Sequence, residues 1–126
     1  MNWVKEFVKK FKMYISPLDP EARKKVDDHI NIFIREEFEE LVEAWQRGDM
    51  EEVVDALGDL SWHCDKAFEM LGIDGQEVRN EIGRANLSKE LGIKPGREHA
   101  TQDVIKPEGW VAPSHEGNHG VLDEIK

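Results

Sequence analysis

Glu36, Glu37 and Glu40 stand in the string Arg35-Glu36-Glu37-Phe38-Glu39-Glu40 with the spacing E-E-x-x-E. Glu52, Asp55 and Asp59 follow in Glu52-Val53-Val54-Asp55-Ala56-Leu57-Gly58-Asp59, an E-x-x-D with a further acid four residues on. Acids three and four residues apart share one face of a helix, so each string can aim several carboxylates at one place. Crowded like charges repel unless cations sit among them. Mg²⁺, a hard cation that takes oxygen ligands and commonly binds substrate phosphates as well, suits such a cluster. The pattern predicts metal-dependent phosphate chemistry.

Helices must position these acids, and the periodicity predicts four. The first runs from about Asn2 to Ile15, with Trp3, Val4, Phe7, Val8, Phe11 and Ile15 at helical spacing. Ser16-Pro17 ends it. The second starts with Asp19 as N-cap and Pro20 at its first position and runs to about Arg47, where Gly48 stops it. Asp49 and Glu52 open the third with capping-box spacing; it reaches Leu71, with Gly72 as its C-cap. The fourth starts at Asp74 and reaches about Leu91. Residues 93–126, with Pro95, Pro107 and Pro113, read as an irregular lid, arm or tail in which Trp110 suggests a docked portion. The domains expected are a helical one at 1–92 and this arm at 93–126. The fold class expected is all-α, a four-helix bundle completed by oligomerisation.

Within the second helix, Val26, Ile30, Phe33, Leu41 and Ala44 fall within about 40° of Glu37 at roughly 100° per residue. Glu37 therefore sits in an apolar stripe, where an ionised carboxylate needs a cation or a salt-bridge partner. In the third helix Val53, Leu57, Leu60, Cys64, Phe68 and Leu71 read as the core face. Glu52, Asp55 and Asp59 then lie opposite, beside Trp62, as a solvated face or as a site covered by an oligomer or lid.

The chain has 126 residues and a formal net charge of −10, with pI near 4.9. That argues for one domain and against a nucleic-acid backbone or an anionic membrane as partner. Cys64 is the single cysteine, so neither a disulfide framework nor a cysteine zinc site is expected, and its apolar stripe predicts a buried thiol. No apolar run approaches the roughly 20 residues of a membrane span. Lys5, Glu6, Lys9 and Lys10 interrupt any signal-peptide core. The expected location is the cytoplasm.

The acidic pattern resembles the all-α nucleoside triphosphate pyrophosphohydrolases, the superfamily of MazG, dimeric dUTPases, dCTP pyrophosphatases and phosphoribosyl-ATP pyrophosphohydrolase. Asp55-Ala56-Leu57-Gly58-Asp59-Leu60 is similar to the D-A-L-x-D segment of a phosphoribosyl-ATP pyrophosphohydrolase-like branch, and Arg84-Ala85-Asn86-Leu87-Ser88-Lys89 to its R-x-N-x-S-K segment. Gly109-Trp110 and Pro113 supply a following G-x-W/F-x-x-P element. Many members carry a Glu where this chain has Ala56, whereas Glu52 with Asp55 fits E-x-x-D directly.

The resemblance implies hydrolysis of a (d)NTP between the α and β phosphates, giving a monophosphate and pyrophosphate, with Mg²⁺ or Mn²⁺. It implies Glu37, Glu40, Glu52 and Asp55 as principal metal ligands, Asp59 as a third ligand of the second motif or an outer acid, and Glu36 orienting or deprotonating the water. Arg84 and Lys89 would meet the triphosphate and Asn86 a phosphate or sugar oxygen, although the two cations also suit the last turn of a helix. His29, Phe33, Trp62 and His63 are candidates for the nucleoside pocket, although Phe33 reads first as a core residue. Small members occur in phages and trim nucleotide pools; guanine, cytosine and uracil nucleotides all fit, and (d)GTP is put first. A homodimer or homotetramer is implied. Phosphoribosyl-ATP is the alternative substrate. An acidic helical interaction module is the non-catalytic alternative, and a di-iron bundle is disfavoured because none of the four expected helices carries a Glu-x-x-His.

Overall fold

The computed structural model describes residues 2–126. It is all-α apart from one very short ladder. The chain forms two compact units, residues 1–75 with 119–126 and residues 76–118.

The first unit contains α1 (Trp3–Lys10), α2 (Ala22–Asp28), a π-helical segment (His29–Ile34), α3 (Arg35–Gln46) and α4 (Met50–Leu71). Asn2 caps α1 by accepting the Lys5 N–H at 3.0 Å. This helix stops at Lys10, short of the expected Ile15: Lys12 takes a left-handed conformation (φ 55°), and the Ile15 N–H donates to the Met70 carbonyl at 2.9 Å. Ile15 is thereby buried in the core with Val8, Ala22, Met70 and Leu71.

The second expected helix exists as a continuous helical run, but its regular part begins at Ala22 and its middle is not α-helical. Asp19 accepts the Glu21 N–H at 2.9 Å, an Asx turn ahead of the helix. The π segment holds more residues per turn than an α-helix and so shifts every side chain that follows it. His29, at the start of this segment, is 3% exposed, whereas Ile30, expected in the buried stripe, faces solvent. Beyond the shift, Glu37 and Leu41 are half-buried and Ala44 is buried, so α3 keeps the stripe.

α4 opens and closes as its sequence predicts. The Asp49 carboxylate accepts the Glu52 N–H at 3.1 Å, and Gly72 caps the C-terminus with φ 72°. Its packed face differs in part from the expectation: Leu71 is in the core and Val53, Leu60 and Phe68 are half-buried, but the stripe reaches further round the helix. Glu52, Ala56, Asp59, His63, Lys66 and Met70, spaced alternately four and three residues apart, form the buried to half-buried stripe. Leu57 is 52% and Val54 69% exposed, and Cys64 is exposed rather than buried. α4 packs on α3, α1 and the π segment.

At the C-terminus a 3₁₀ turn (Leu122–Glu124) follows Gly120. Gly120 has φ 55°, and a Cβ there would lie 2.0 Å from the Leu71 carbonyl oxygen. That approach lets the Val121 N–H reach the same oxygen at 2.9 Å, so Val121 and Ile125 join the core.

The second unit holds most of α5 (Gly75–Leu87) and an antiparallel ladder of β1 (Glu90–Leu91) with β2 (Val104–Ile105). Glu90 pairs with Ile105 and Leu91 with Val104, so Leu91 is in a strand rather than at the expected helix end. Helical bonding stops because the Ala85 carbonyl accepts from Ser88 Oγ at 2.7 Å and from Trp110 Nε1 at 2.7 Å. The arm predicted as irregular thus holds a strand and a docked tryptophan.

Candidate active site

Glu37 is the centre of the first unit's acidic cluster. It projects from α3 toward α4, its side chain is 17% exposed, and its Oε2 is buried without a hydrogen-bond partner. Burial, then the charges of Glu40 and Asp59, a hydrogen bond with Glu40 and the charge of Glu36 push its pKa up to about 7. α3 supplies Glu36, Glu37 and Glu40, and Asp59 comes from the packed stripe of α4. Glu52 and Asp55 lie nearer the start of α4, Glu52 half-buried and Asp55 exposed. Among the described residues, no three His, Cys, Asp or Glu side chains form a ready metal cage. Glu36 and Glu40 are exposed to solvent.

His63 stands beside Glu37, with Nε2 3.6 Å from Glu37 Oε1. Burial, with help from the Lys66 ammonium and His29, pulls the His63 pKa down, while that of Glu37 is pushed up. An ion pair would produce the opposite shifts, so at neutral pH this is a long polar contact with an uncharged imidazole.

The π segment delivers His29 and Phe33 to the same place. His29 Nε2 donates to the His63 carbonyl at 2.8 Å, and burial lowers its pKa. The Phe33 and His63 rings are stacked, 14° from parallel, with centroids 6.0 Å apart. Of the expected nucleoside-pocket residues, His29, Phe33 and His63 therefore converge. Trp62 does not join them: it packs edge-on against Phe7 of α1 with centroids 5.4 Å apart.

His29, Phe33 and His63 also line a cavity of about 360 Å³, whose wall includes Lys12, Lys25 and Lys66. Lys66 is 6% exposed. Its ammonium lies 5.0 Å from the Phe33 ring centroid and 5.8 Å from that of Phe7. The sequence reading missed Lys66. The signal was its place in the series Asp59, His63, Lys66, Met70, whose steps are four, three and four residues, obscured once α4 was assigned the opposite core face.

The remaining expected substrate contacts belong to the second unit. Arg84 Nε bonds Glu81 at 3.1 Å, and its Nη2 donates to the carbonyls of Val111 at 3.4 Å and Ala112 at 3.2 Å. The guanidinium thus fastens the segment after Trp110 to α5. Lys89 lies over the Trp110 ring, 5.4 Å from its centroid, and Asn86 is exposed on the last turn of α5.

The model of the phosphoribosyl-ATP pyrophosphohydrolase family matches residues 4–86. The chain belongs to this family. It is accordingly a member of the MazG-like all-α pyrophosphohydrolase superfamily and a nucleotide pyrophosphohydrolase, acting on acid anhydrides. No curated protein is significantly similar to it. The region matched to the phosphoribosyl-ATP pyrophosphohydrolases includes the acidic strings of α3 and α4, the π segment and Arg84 to Asn86. Among the described residues no helix is long and apolar enough to cross a membrane.

Proposed function

We propose that the protein hydrolyses a nucleoside triphosphate between its α and β phosphates, with a divalent cation bound at the acidic cluster. The observation that carries this reading is Glu37, a nearly buried carboxyl group with one orphaned oxygen and a pKa raised toward neutrality partly by the acids around it. A cation would remove both penalties, and an all-oxygen donor set suits Mg²⁺, or Mn²⁺ in its place.

Glu37, Glu40 and Asp59 would hold the metal, with Glu52 and Asp55 extending the donor set along α4. When bound, the metal would neutralise phosphate charge and acidify a nearby water. Glu36, exposed beside Glu37, would orient the attacking water and accept its proton on a carboxylate oxygen. Water adds one oxygen across the anhydride; the bridging oxygen leaves with one phosphoryl side, giving a nucleoside monophosphate and pyrophosphate. His29, Phe33 and His63 would present ring surface to the nucleoside.

A second substrate is favoured by the family match: phosphoribosyl-ATP, which carries the same α–β anhydride. Incubation of the protein and Mg²⁺ with a panel of NTPs, dNTPs and phosphoribosyl-ATP separates the two. Turnover of simple nucleotides, with guanine nucleotides tested first, is the expected outcome. Turnover of phosphoribosyl-ATP alone would transfer the assignment to the second substrate.

A further inference from the structure

His63 is fixed more closely than a side chain that merely lines a pocket needs to be. It is 16% exposed. Its ring stacks on Phe33, and the His29 ring stands inclined at 62° to it with centroids 5.7 Å apart. The backbone beneath is tied as well, because the His63 carbonyl accepts from His29 Nε2 at 2.8 Å. Both partners come from the π segment. With the ring plane set in this way, its two nitrogens have separate surroundings. Nδ1 is buried without a partner, and Nε2 lies 3.6 Å from Glu37 Oε1.

These surroundings choose the tautomer. An uncharged imidazole carries one N–H and one bare lone pair, and the partners of the two nitrogens decide which is which. A proton on Nδ1 would strand a donor among buried atoms and turn the Nε2 lone pair toward a carboxyl oxygen. A proton on Nε2 has an acceptor whenever Glu37 is ionised, as a ligand of a cation must be. No lysine or arginine is paired with Glu37 among the described residues, and its remaining charged neighbours are the acids Glu36, Glu40 and Asp59. The contact is roughly half an ångström beyond hydrogen-bond range, and contacts at a reaction centre commonly tighten when its ligands bind. Glu37 Oε2, buried and unpartnered, is then the oxygen left over for the metal.

We propose that His63 is a positioning residue for the metal site: its Nε2–H donates to Glu37 Oε1 and holds the carboxylate so that Oε2 is presented to the cation. This role rests on the metal-dependent reading given above and extends it from the acids to the side chain that orients the central one. The face of the same ring remains free for the part it plays beside Phe33, so one residue serves both the acidic cluster and the cavity.

The test reads metal binding and the ring nitrogens rather than turnover. Mn²⁺ affinity is measured by electron paramagnetic resonance on the unaltered full chain and on His63→Phe, His63→Gln and Glu37→Gln. Phenylalanine keeps a ring against Phe33 and lacks the donor, so His63→Phe should bind Mn²⁺ roughly 10–100-fold more weakly. Glutamine carries an amide N–H at about the reach of imidazole Nε2, so His63→Gln should recover most of that loss. In the Mg²⁺-loaded unaltered protein, nitrogen NMR of the His63 ring should show the Nε2–H tautomer. Undiminished Mn²⁺ affinity in His63→Phe, equal loss in His63→Phe and His63→Gln, or the Nδ1–H tautomer would overturn the proposal. The NMR arm needs no variant and decides the matter if His63→Phe does not fold. Mn²⁺ binding that is lost in Glu37→Gln but indifferent to His63→Phe would remove this role alone. No Mn²⁺ binding by the unaltered protein would remove the metal site itself, so the two failures are distinguishable.

Discussion

Glu37 links the stability of the protein to its chemistry. Its folded-state pKa of about 7 lies above the ordinary value of 4.5, so the folded protein holds this proton more tightly than the unfolded chain does. The linked stability is fully present below pH 4.5 and is lost as pH rises through about 7, a loss on the order of 1–3 kcal/mol. Glu37→Gln removes the titration and should raise the metal-free melting temperature at pH 8 while abolishing turnover. Glu40→Gln should also abolish turnover. Calorimetry and a pyrophosphate-release assay on both variants check this; full activity in either would remove the metal assignment from that side chain. The crowding around Glu37 was legible from E-E-x-x-E and the apolar stripe it interrupts. Lys66 was not, because a lysine in a polar string looks like a solvated one until its helix face is known.

At the scale of the elements, caps were easier to read than faces. Asp49 and Gly72 delimit α4 where local chemistry says they should, since a side-chain oxygen on a free N–H and a glycine in the left-handed region act within a few residues. The π segment at His29–Ile34 carries no such local mark. At its start His29 rather than Ile30 takes the buried side, a consequence of packing that periodicity alone cannot signal. The packed face of α4 was only partly legible for a related reason: both its stripes contain apolar residues, and the one that meets α3 within the chain is the one that carries Asp59 and His63. Asp49→Ala should destabilise the protein by about 0.5–2 kcal/mol in urea unfolding and leave kcat unchanged at temperatures where the variant remains folded. A fall in kcat there would mean that the start of α4 positions the acids directly.

The whole molecule leaves the other face of α4 uncovered. Met50, Val54, Leu57 and Cys64 line one side of that helix and are exposed, and Phe38 and Trp45 of α3 are exposed as well. Apolar surface of this kind is characteristic of a contact between subunits. The protein should therefore sediment as a dimer or tetramer of the 14.5 kDa chain, and Leu57→Asp should shift it toward monomer. A monomeric unaltered protein at micromolar concentration would contradict the association. The mostly helical architecture was legible from the spacing of apolar residues, whereas the return of Gly120–Ile125 to the core of the first unit depends on a long-range approach to Leu71 that no local pattern encodes.

The central claim is cleavage of one particular bond, and the products of one nucleotide show it most directly. The protein is incubated with a turned-over triphosphate in Mg²⁺ and, in parallel, in excess chelator, and the products are separated. Monophosphate and pyrophosphate in equal amounts, formed only with the metal, is the expected result. Diphosphate and orthophosphate, or undiminished pyrophosphate release in chelator, would contradict it.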